Sequence, residues 1–231
     1  MKLIHNTGSQ RVIDLIRPHL KRGNQLGCVT PSFSLYAFAE VREALSTLER
    51  VQLIVPPDDA VLELLGSEGD RAARNRLQAR WLANQCAKWI SEKVDLRRAS
   101  RSVPQGAAVM RRLDGTPEQV VLGSFAFSTS GLGLTPGNPL SLIQASESAD
   151  EAAQLAQWFD HQWANLQSVS ATDSEDKSKG RDAVLEALRA LGEHRDPFTI
   201  YTLMLHHLFR DRGDEMDEER IVKSATGIRN T

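Results

Sequence analysis

The sequence predicts an α/β fold, a mixed sheet flanked by helices with a helical appendage at its C-terminal end. Three observations carry this expectation. Apolar runs at 25–33, 51–57 and 140–146 alternate with stretches of helical period at 35–48, 70–91 and 149–166, the alternation of a sheet covered by helices. Residues 107–122 read as strand, turn and strand around Asp114-Gly115, a pair that takes the left-handed angles of a tight turn. A chain of 231 residues with 41% apolar content can core one domain of about 150–170 residues and still carry an appendage.

In order, residues 9–22 set Val12, Ile13, Leu15, Ile16 and Leu20 on one helical face, with Ser9 as the expected cap and Pro18 as a late interruption. Residues 25–33 (QLGCVTPSF) fit a buried first strand running into a polar turn. A helix follows from Leu35 to Leu48, with Leu35, Phe38, Val41, Leu45 and Leu48 inward. The run VQLIVPP at 51–57, stopped by two prolines, reads as a central parallel strand. Residues 59–66 make a short helix. A long one at 70–91 has Leu77, Trp81, Leu82, Cys86 and Trp89 or Ile90 as its apolar stripe. VDLRRAS (94–100) is a short strand before the hairpin strands Ala107–Leu113 and Gln119–Leu122. Pro136-Gly137-Asn138 turns the chain into a strand at 140–146, and the helix at 149–166 presents aromatics that suit a core better than a cofactor box. The stretch 168–182 is polar and reads as a linker or loop. Helices at 182–191 and 197–209 and a charged tail complete the chain. The expected organisation is therefore a domain at 1–167, a linker at 168–181 and a helical connector at 182–231.

The net charge of −2 argues against a wholly basic nucleic-acid binder, but the charge is unevenly spread. Between Arg71 and Arg112 eleven lysines and arginines face two acids, Glu92 and Asp95. Arg71, Arg74, Arg76 and Arg80 sit at the N-terminal end of the long helix, where positive charge opposes the helix dipole and a phosphate partner makes physical sense. A solvated helix face is the plain alternative. Cys28 and Cys86 have no CxxC partner and suit a reduced, cytoplasmic interior. No apolar run reaches the roughly 18 residues a membrane span needs, so no membrane partner is expected.

Glycines and hydroxyls just past a strand end are where such sheets place their chemistry. Here the second hairpin strand runs into Gly123-Ser124, followed by Ser128, Thr129, Ser130 and Gly131. The glycine would let an anion approach the backbone, with the hydroxyls donating. Arg111 and Arg112 lie one hairpin turn away, and strand alternation lets at most one of them face that place. No complete catalytic set accompanies the loop. Ser124 and Ser128 have no histidine base in the same stretch, and His206 and His207 are adjacent without a ligand set, so no metal or cofactor is expected.

The loop GSFAFSTSGLG (123–133) resembles the second half of the phospholipase D signature, in which a His-x-Lys strand leads to a Gly-Ser-x-Asn-x-Thr loop and then Gly-Leu. The likeness spans residues 1–167. The helix DEAAQLAQWFDHQW (150–163) is similar to one in bacterial proteins where such a domain precedes an SNF2-type, ATP-dependent helicase, and HHLFRDRGDEMDEE (206–219) is similar to the connecting segment. No ATP-binding GxxxxGK[ST] element occurs in these residues.

In active members, the resemblance implies, a histidine attacks phosphorus, a lysine neutralises the phosphoryl oxygens, and a second copy supplies the leaving-group acid. Counting back from Asp114-Gly115 puts those two places at Ala107 and Val109, and the asparagine place at Ala126. The acid after the loop would fall near Leu140. No histidine occurs between His19 and His161 and no lysine between Lys93 and Lys177, so no shift of register restores the pair. Only Gly123, Ser124, Ser128, Gly131 and Leu132 remain of the motif.

The leading expectation is thus a pseudoenzyme: a non-catalytic accessory domain that meets DNA phosphates through Arg71, Arg74, Arg76, Arg80, Arg111 and Arg112, or docks a partner, beside a helicase core in the same polypeptide. The alternatives are a nuclease lobe completed by another subunit and a homodimerisation module pairing through Ala126 and Phe127.

Overall fold

The computed structural model describes residues 1–57, 64–65, 76–170 and 176–192, without the side chains of 76–78, 167–170 and 176–181. The chain divides into two compact units, Met1–Gly192 and Glu193–Thr231. The second lies outside the described residues, and with it the predicted helix at 197–209 and His206 and His207. The helix expected at 59–66 also falls almost wholly outside them.

The first unit is a seven-stranded mixed sheet with helices on both faces. Its strands are β1 (Lys2–Ile4), β2 (Gln25–Val29), β3 (Arg50–Val55), β4 (Val94–Arg98), β5 (Gly106–Arg111), β6 (Pro117–Gly123) and β7 (Ile143–Ser146), in the order β1-β7-β6-β5-β2-β3-β4. The helices are α1 (Val12–Ile16), α2 (Leu35–Thr47), α3 (Arg76–Lys93), α4 (Ala149–Ser170) and α5 (Asp176–Gly192). β2, β3 and β4 run parallel, joined through α2 and α3, because parallel neighbours need a crossover. From β2 towards β1 every pairing is antiparallel, and β5 and β6 form a hairpin. Its turn holds Gly115 at φ +85°, as Asp114-Gly115 predicts.

Strand alternation divides the core into two layers. Leu26, Cys28, Met110 and Val121 face a layer with α1, α2, α3 and α5. Val29, Ala107, Val109 and Val120 face the opposite layer, where α4 contributes Ala152, Leu155, Ala156, Phe159 and Trp163. Gly27 makes room for this helix: a β-carbon there would stand 2.8 Å from the Phe159 ring. Phe159 stacks on Trp163, and Arg97 lies 3.9 Å from the Trp163 ring centroid while donating to its carbonyl oxygen at 2.6 Å. Burial pushes the Cys28 thiol up to about 12 and raises Cys86 as well, so neither is a ready nucleophile.

Several expectations need correction. The first helix is five residues long and passes into a 3-10 turn at Arg17–His19, where Pro18 lacks the N–H to continue an α-helix. Ser9 does not cap it; Arg11 occupies the cap position and makes no side-chain cap bond. α2 does start as predicted, with the Ser34 hydroxyl accepting from Tyr36 N at 3.2 Å. Strand β2 ends at Val29 and β7 begins only at Ile143, leaving Leu140 and Leu142 exposed. On α3, Trp81 leaves the apolar stripe and stands half exposed. Helix covers 168–170 and 176–181 of the stretch read as a linker, and the sheet unit runs on to Gly192. Polar composition is compatible with a solvated helix, and the apolar residues Val184, Leu185 and Leu188 fix α5 to the core. Among the described residues no helix is long and apolar enough to cross a membrane.

Four carboxylates with lowered pKa values, Glu118, Asp14, Asp114 and Glu151, set an acid limit on this unit. The hydrogen bond from His19, followed by that from Arg112, lowers the pKa of Glu118; the bond from Arg11 lowers that of Asp14; the Thr116 N–H lowers that of Asp114. Each folded-state value lies below its unfolded one, so the unfolded chain binds more protons in this window. Their contribution is present above the ordinary values of 4.5 and 3.8 and is lost as pH falls below them. Urea midpoints measured from about pH 6 to about pH 3 should fall steadily, and Glu118→Gln should flatten that slope. A slope unchanged in the variant would refute the assignment to this group.

Candidate functional site

The candidate site is a cleft of about 440 Å³ on which the end of β6, the end of β2, the segment after β1 and the start of β5 converge. It is built outward from the loop. Phe127 N donates to Thr30 Oγ1 at 2.7 Å, Ser34 N donates to the Phe127 carbonyl oxygen at 2.9 Å, and Phe33 stacks on Phe127 with ring centroids 5.0 Å apart. These contacts tie the loop after β6 to the junction between β2 and α2. Phe127 is therefore only 5% exposed, and the apolar loop surface expected at Ala126 and Phe127 does not exist as such. Ala126, the asparagine place, does line the cleft.

Most of what remains of the motif has a structural task. Gly123 adopts φ +135°, and a β-carbon on it would run into the Leu142 carbonyl oxygen. One on Gly131 would meet the Ala126 backbone. Ser128 Oγ accepts from Gly131 N at 3.0 Å and holds the loop closed. Ser124 N is spent on the Leu142 carbonyl oxygen at 2.9 Å, and Phe127 N on Thr30. The close approach that Gly123 permits is thus to the neighbouring chain segment rather than to an anion. Of the two motif serines, Ser128 is buried and bonded, whereas Ser124 has an exposed side chain that makes no hydrogen bond among the described residues, and it lines the cleft.

Among the lining residues far from the loop in sequence are Asn6 and His5. Asn6, at φ +53°, donates from Nδ2 to the carbonyl oxygens of Ser130 and Gly131 at 3.1 and 2.9 Å and accepts from Val12 N on Oδ1 at 2.9 Å. It clamps the loop and satisfies a free N–H at the start of α1. His5, its neighbour, is exposed and is the one titratable side chain among the described residues of the cleft wall. No Lys, Arg, Asp or Glu is among the described residues that line the cleft. Its other polar side chains are hydroxyls and amides, among them Ser32, Gln105, Ser124, Ser130, Asn138 and Ser141, and they stand among Pro31, Pro104, Phe125, Ala126, Pro136 and Pro139.

Ala107 and Val109 are wholly buried beneath α4 and do not reach the cleft. The residues of this strand region that do reach it are Pro104 and Gln105, and neither is a nucleophile or a cation. Arg111 and Arg112 do not line it. Arg111 is five residues from Gly106, roughly 17 Å along an extended strand. It donates to Asp160 at 2.8 Å and to the Ala156 carbonyl oxygen at 3.2 Å. Arg112 pairs with Glu118 at 3.2 Å. Arg71 and Arg74 lie outside the described residues; Arg76 begins α3 without a described side chain, and Arg80 is partly exposed on that helix. Neither Arg111 nor Arg112 therefore joins the loop.

His161 is exposed on α4, and His19 is taken by Glu118 at 3.0 Å. Among the described residues, no three His, Cys, Asp or Glu side chains come together as a metal site. The residues of α4 that resemble the helicase-linked helix include the ones that fill the core, namely Ala152, Leu155, Ala156, Phe159 and Trp163. The second segment of that resemblance, 206–219, lies outside the described residues. A scan against protein-family models matches no family, and a search of the curated proteins finds no match.

Proposed function

We propose that this chain is a non-catalytic phospholipase D-like domain that binds nucleic-acid phosphates without cleaving them, as an accessory to a helicase or translocase motor. One observation carries the reading: among the described residues, the cleft at the loop is lined by hydroxyl, amide and apolar groups with His5 but by no lysine, and Ala107 and Val109 are sealed beneath α4. Phosphoryl transfer through a covalent histidine needs imidazole and cation together at one phosphorus. His5 stands on the wall without a lysine or arginine beside it among the lining residues, which suits holding a phosphate by hydrogen bonds rather than attacking it. The basic stretch that begins at Arg71 supplies the long-range attraction.

The test is binding of the 231-residue chain to fluorescent duplex and single-stranded DNA at about 50 and about 200 mM salt. Cleavage is followed in the same samples with and without EDTA. Binding that weakens steeply with salt and leaves the DNA intact is expected, and Arg74, Arg76 and Arg80 changed together to Ala should weaken it further. Reproducible cleavage would overturn the reading. The motor is tested separately, by whether the gene continues after codon 231 into a GxxxxGK[ST] element.

A second reading, two copies paired symmetrically across the cleft rim, draws on Leu140 and Leu142, which are 88% and 60% exposed beside it. Sedimentation at low and high protein concentration distinguishes a lone binding domain from such a pair.

A further inference from the structure

A second cavity, of about 370 Å³, lies between α2 and α3, and its chemistry differs from that of the motif cleft. Its floor is Phe38 and Trp89, whose rings meet at a centroid distance of 5.2 Å. Trp89 is 7% exposed, and its indole N–H finds no acceptor among the described residues. The wall is Trp81, 49% exposed, with the Arg42 guanidinium 4.6 Å from its ring centroid. Trp81, Gln85, Lys88 and Glu92 recur at helical spacing and so line one face of α3 towards the cavity.

The charges around this wall favour an anionic partner. Arg42, Lys88 and Lys93 line it, against Glu43 and Glu92. Arg80 adjoins Trp81 in sequence, and Arg71, Arg74 and Arg76 precede it. The opposing acids hold the lysine and arginine loosely: Lys88 to Glu92 and Arg42 to Glu43 are both 3.9 Å apart, and Glu43 is almost wholly in solvent. A half-exposed aromatic flanked by loosely held cations is the arrangement on which unpaired bases stack while phosphates meet the positive groups. A duplex has no free base face to offer it.

We propose that the groove between α2 and α3 is a stacking site for single-stranded nucleic acid, with Trp81 as the platform and Arg42 and Lys88 as the phosphate contacts. This rests on the phosphate-binding reading above and assigns its single-strand contact to a surface away from the motif cleft.

The experiment titrates the full 231-residue chain with a fluorescent oligo-dT of about 15 nucleotides and with a duplex of equal length. Trp81→Ala should weaken oligo-dT binding about tenfold, the loss of one stacked base. Trp81→Phe should restore most of it, and Trp158→Ala, which removes an exposed indole from α4, should change nothing. Lys88→Glu, whose side chain is mostly in solvent, should weaken binding and make its salt dependence shallower even if Trp81→Ala perturbs folding. Wild-type affinity in both Trp81→Ala and Lys88→Glu overturns the groove. If salt-steep duplex binding persists in that case, the phosphate-binding reading survives alone. No binding of either DNA at about 50 mM salt overturns both. Trp81-dependent binding of polyglutamate without oligo-dT binding overturns the nucleic-acid assignment in favour of an acidic protein surface.

Discussion

Gly123→Ala should unfold this domain more readily by about 4 kcal/mol, although the motif reading alone treats that glycine as a ligand contact. Gly123 combines φ +135° with a backbone carbonyl, that of Leu142, in the space a β-carbon needs. The first feature costs a non-glycine residue about 1–3 kcal/mol of strain. The second demands that β7, which pairs Ile143 with Gly123, move away from β6. Overpacking of this kind costs a further 1–3 kcal/mol, roughly. Gly115→Ala is the control, since Gly115 has φ +85° but nothing within 4 Å of a β-carbon, and it should cost about 1 kcal/mol. Urea unfolding of the two variants, read beside the wild type, separates strain from collision. Equal losses would show that the close approach to Leu142 is not what keeps glycine at 123. The large loss would mean that the motif glycine persists for sheet geometry, whether or not a phosphate ever binds beside it.

That distinction explains what was legible in the sequence. Local rules recovered the elements whose causes are local. The Asp114-Gly115 turn marked the hairpin, the apolar spacing from Leu35 marked α2, and the proline-stopped run at 51–57 became β3, which is parallel as expected but second from one edge rather than central. β1 escaped because it is three residues long with two of them exposed, and its place at the sheet edge comes from pairing with β7, about 140 residues away. The aromatic helix α4 was legible as core, but Trp81 was not legible as surface. Period alone assigns it to the stripe, whereas the turn of α3 against α2 places Leu82, Cys86 and Ile90 inward and leaves Trp81 beside Arg42.

The site shows the same division. The loop was visible as glycine and hydroxyls, whereas His5 and Asn6 enter it from more than a hundred residues earlier. The one local signal was an asparagine in the Asn6-Thr7-Gly8 turn, a residue that tolerates positive φ and is often placed where its side chain must reach the backbone. Arg111 and Arg112 stay out of the site because they lie at the turn end of the hairpin, opposite the loop, where one bonds to Asp160 of α4 and the other to Glu118.

Asn6→Ala is the variant in which stability and site geometry should fail together. Its side chain makes three hydrogen bonds, two into the loop carbonyls of Ser130 and Gly131 and one from the first N–H of α1. At about 1 kcal/mol net for each partly buried bond, the loss is about 3 kcal/mol, and alanine at φ +53° adds strain. Asn6→Asp keeps the acceptor for Val12 N but sets a carboxylate against two carbonyl oxygens, so it should be no better than alanine. Asn6→Gly relieves the strain at positive φ but loses the clamp as alanine does, and should fall between wild type and alanine. Thermal melts give the order directly. Hydrogen exchange of the Gly131, Leu132 and Gly133 amides, which bond within the loop, reports whether the clamp or the helix start carries the loss. Selective loosening of those amides in Asn6→Gly at temperatures where the sheet stays protected would make Asn6 the residue that shapes the cleft. Uniform loosening of α1 and the loop would make it a general tie of the N-terminal segment, and the cleft would then owe its form to Thr30 and Phe33 instead.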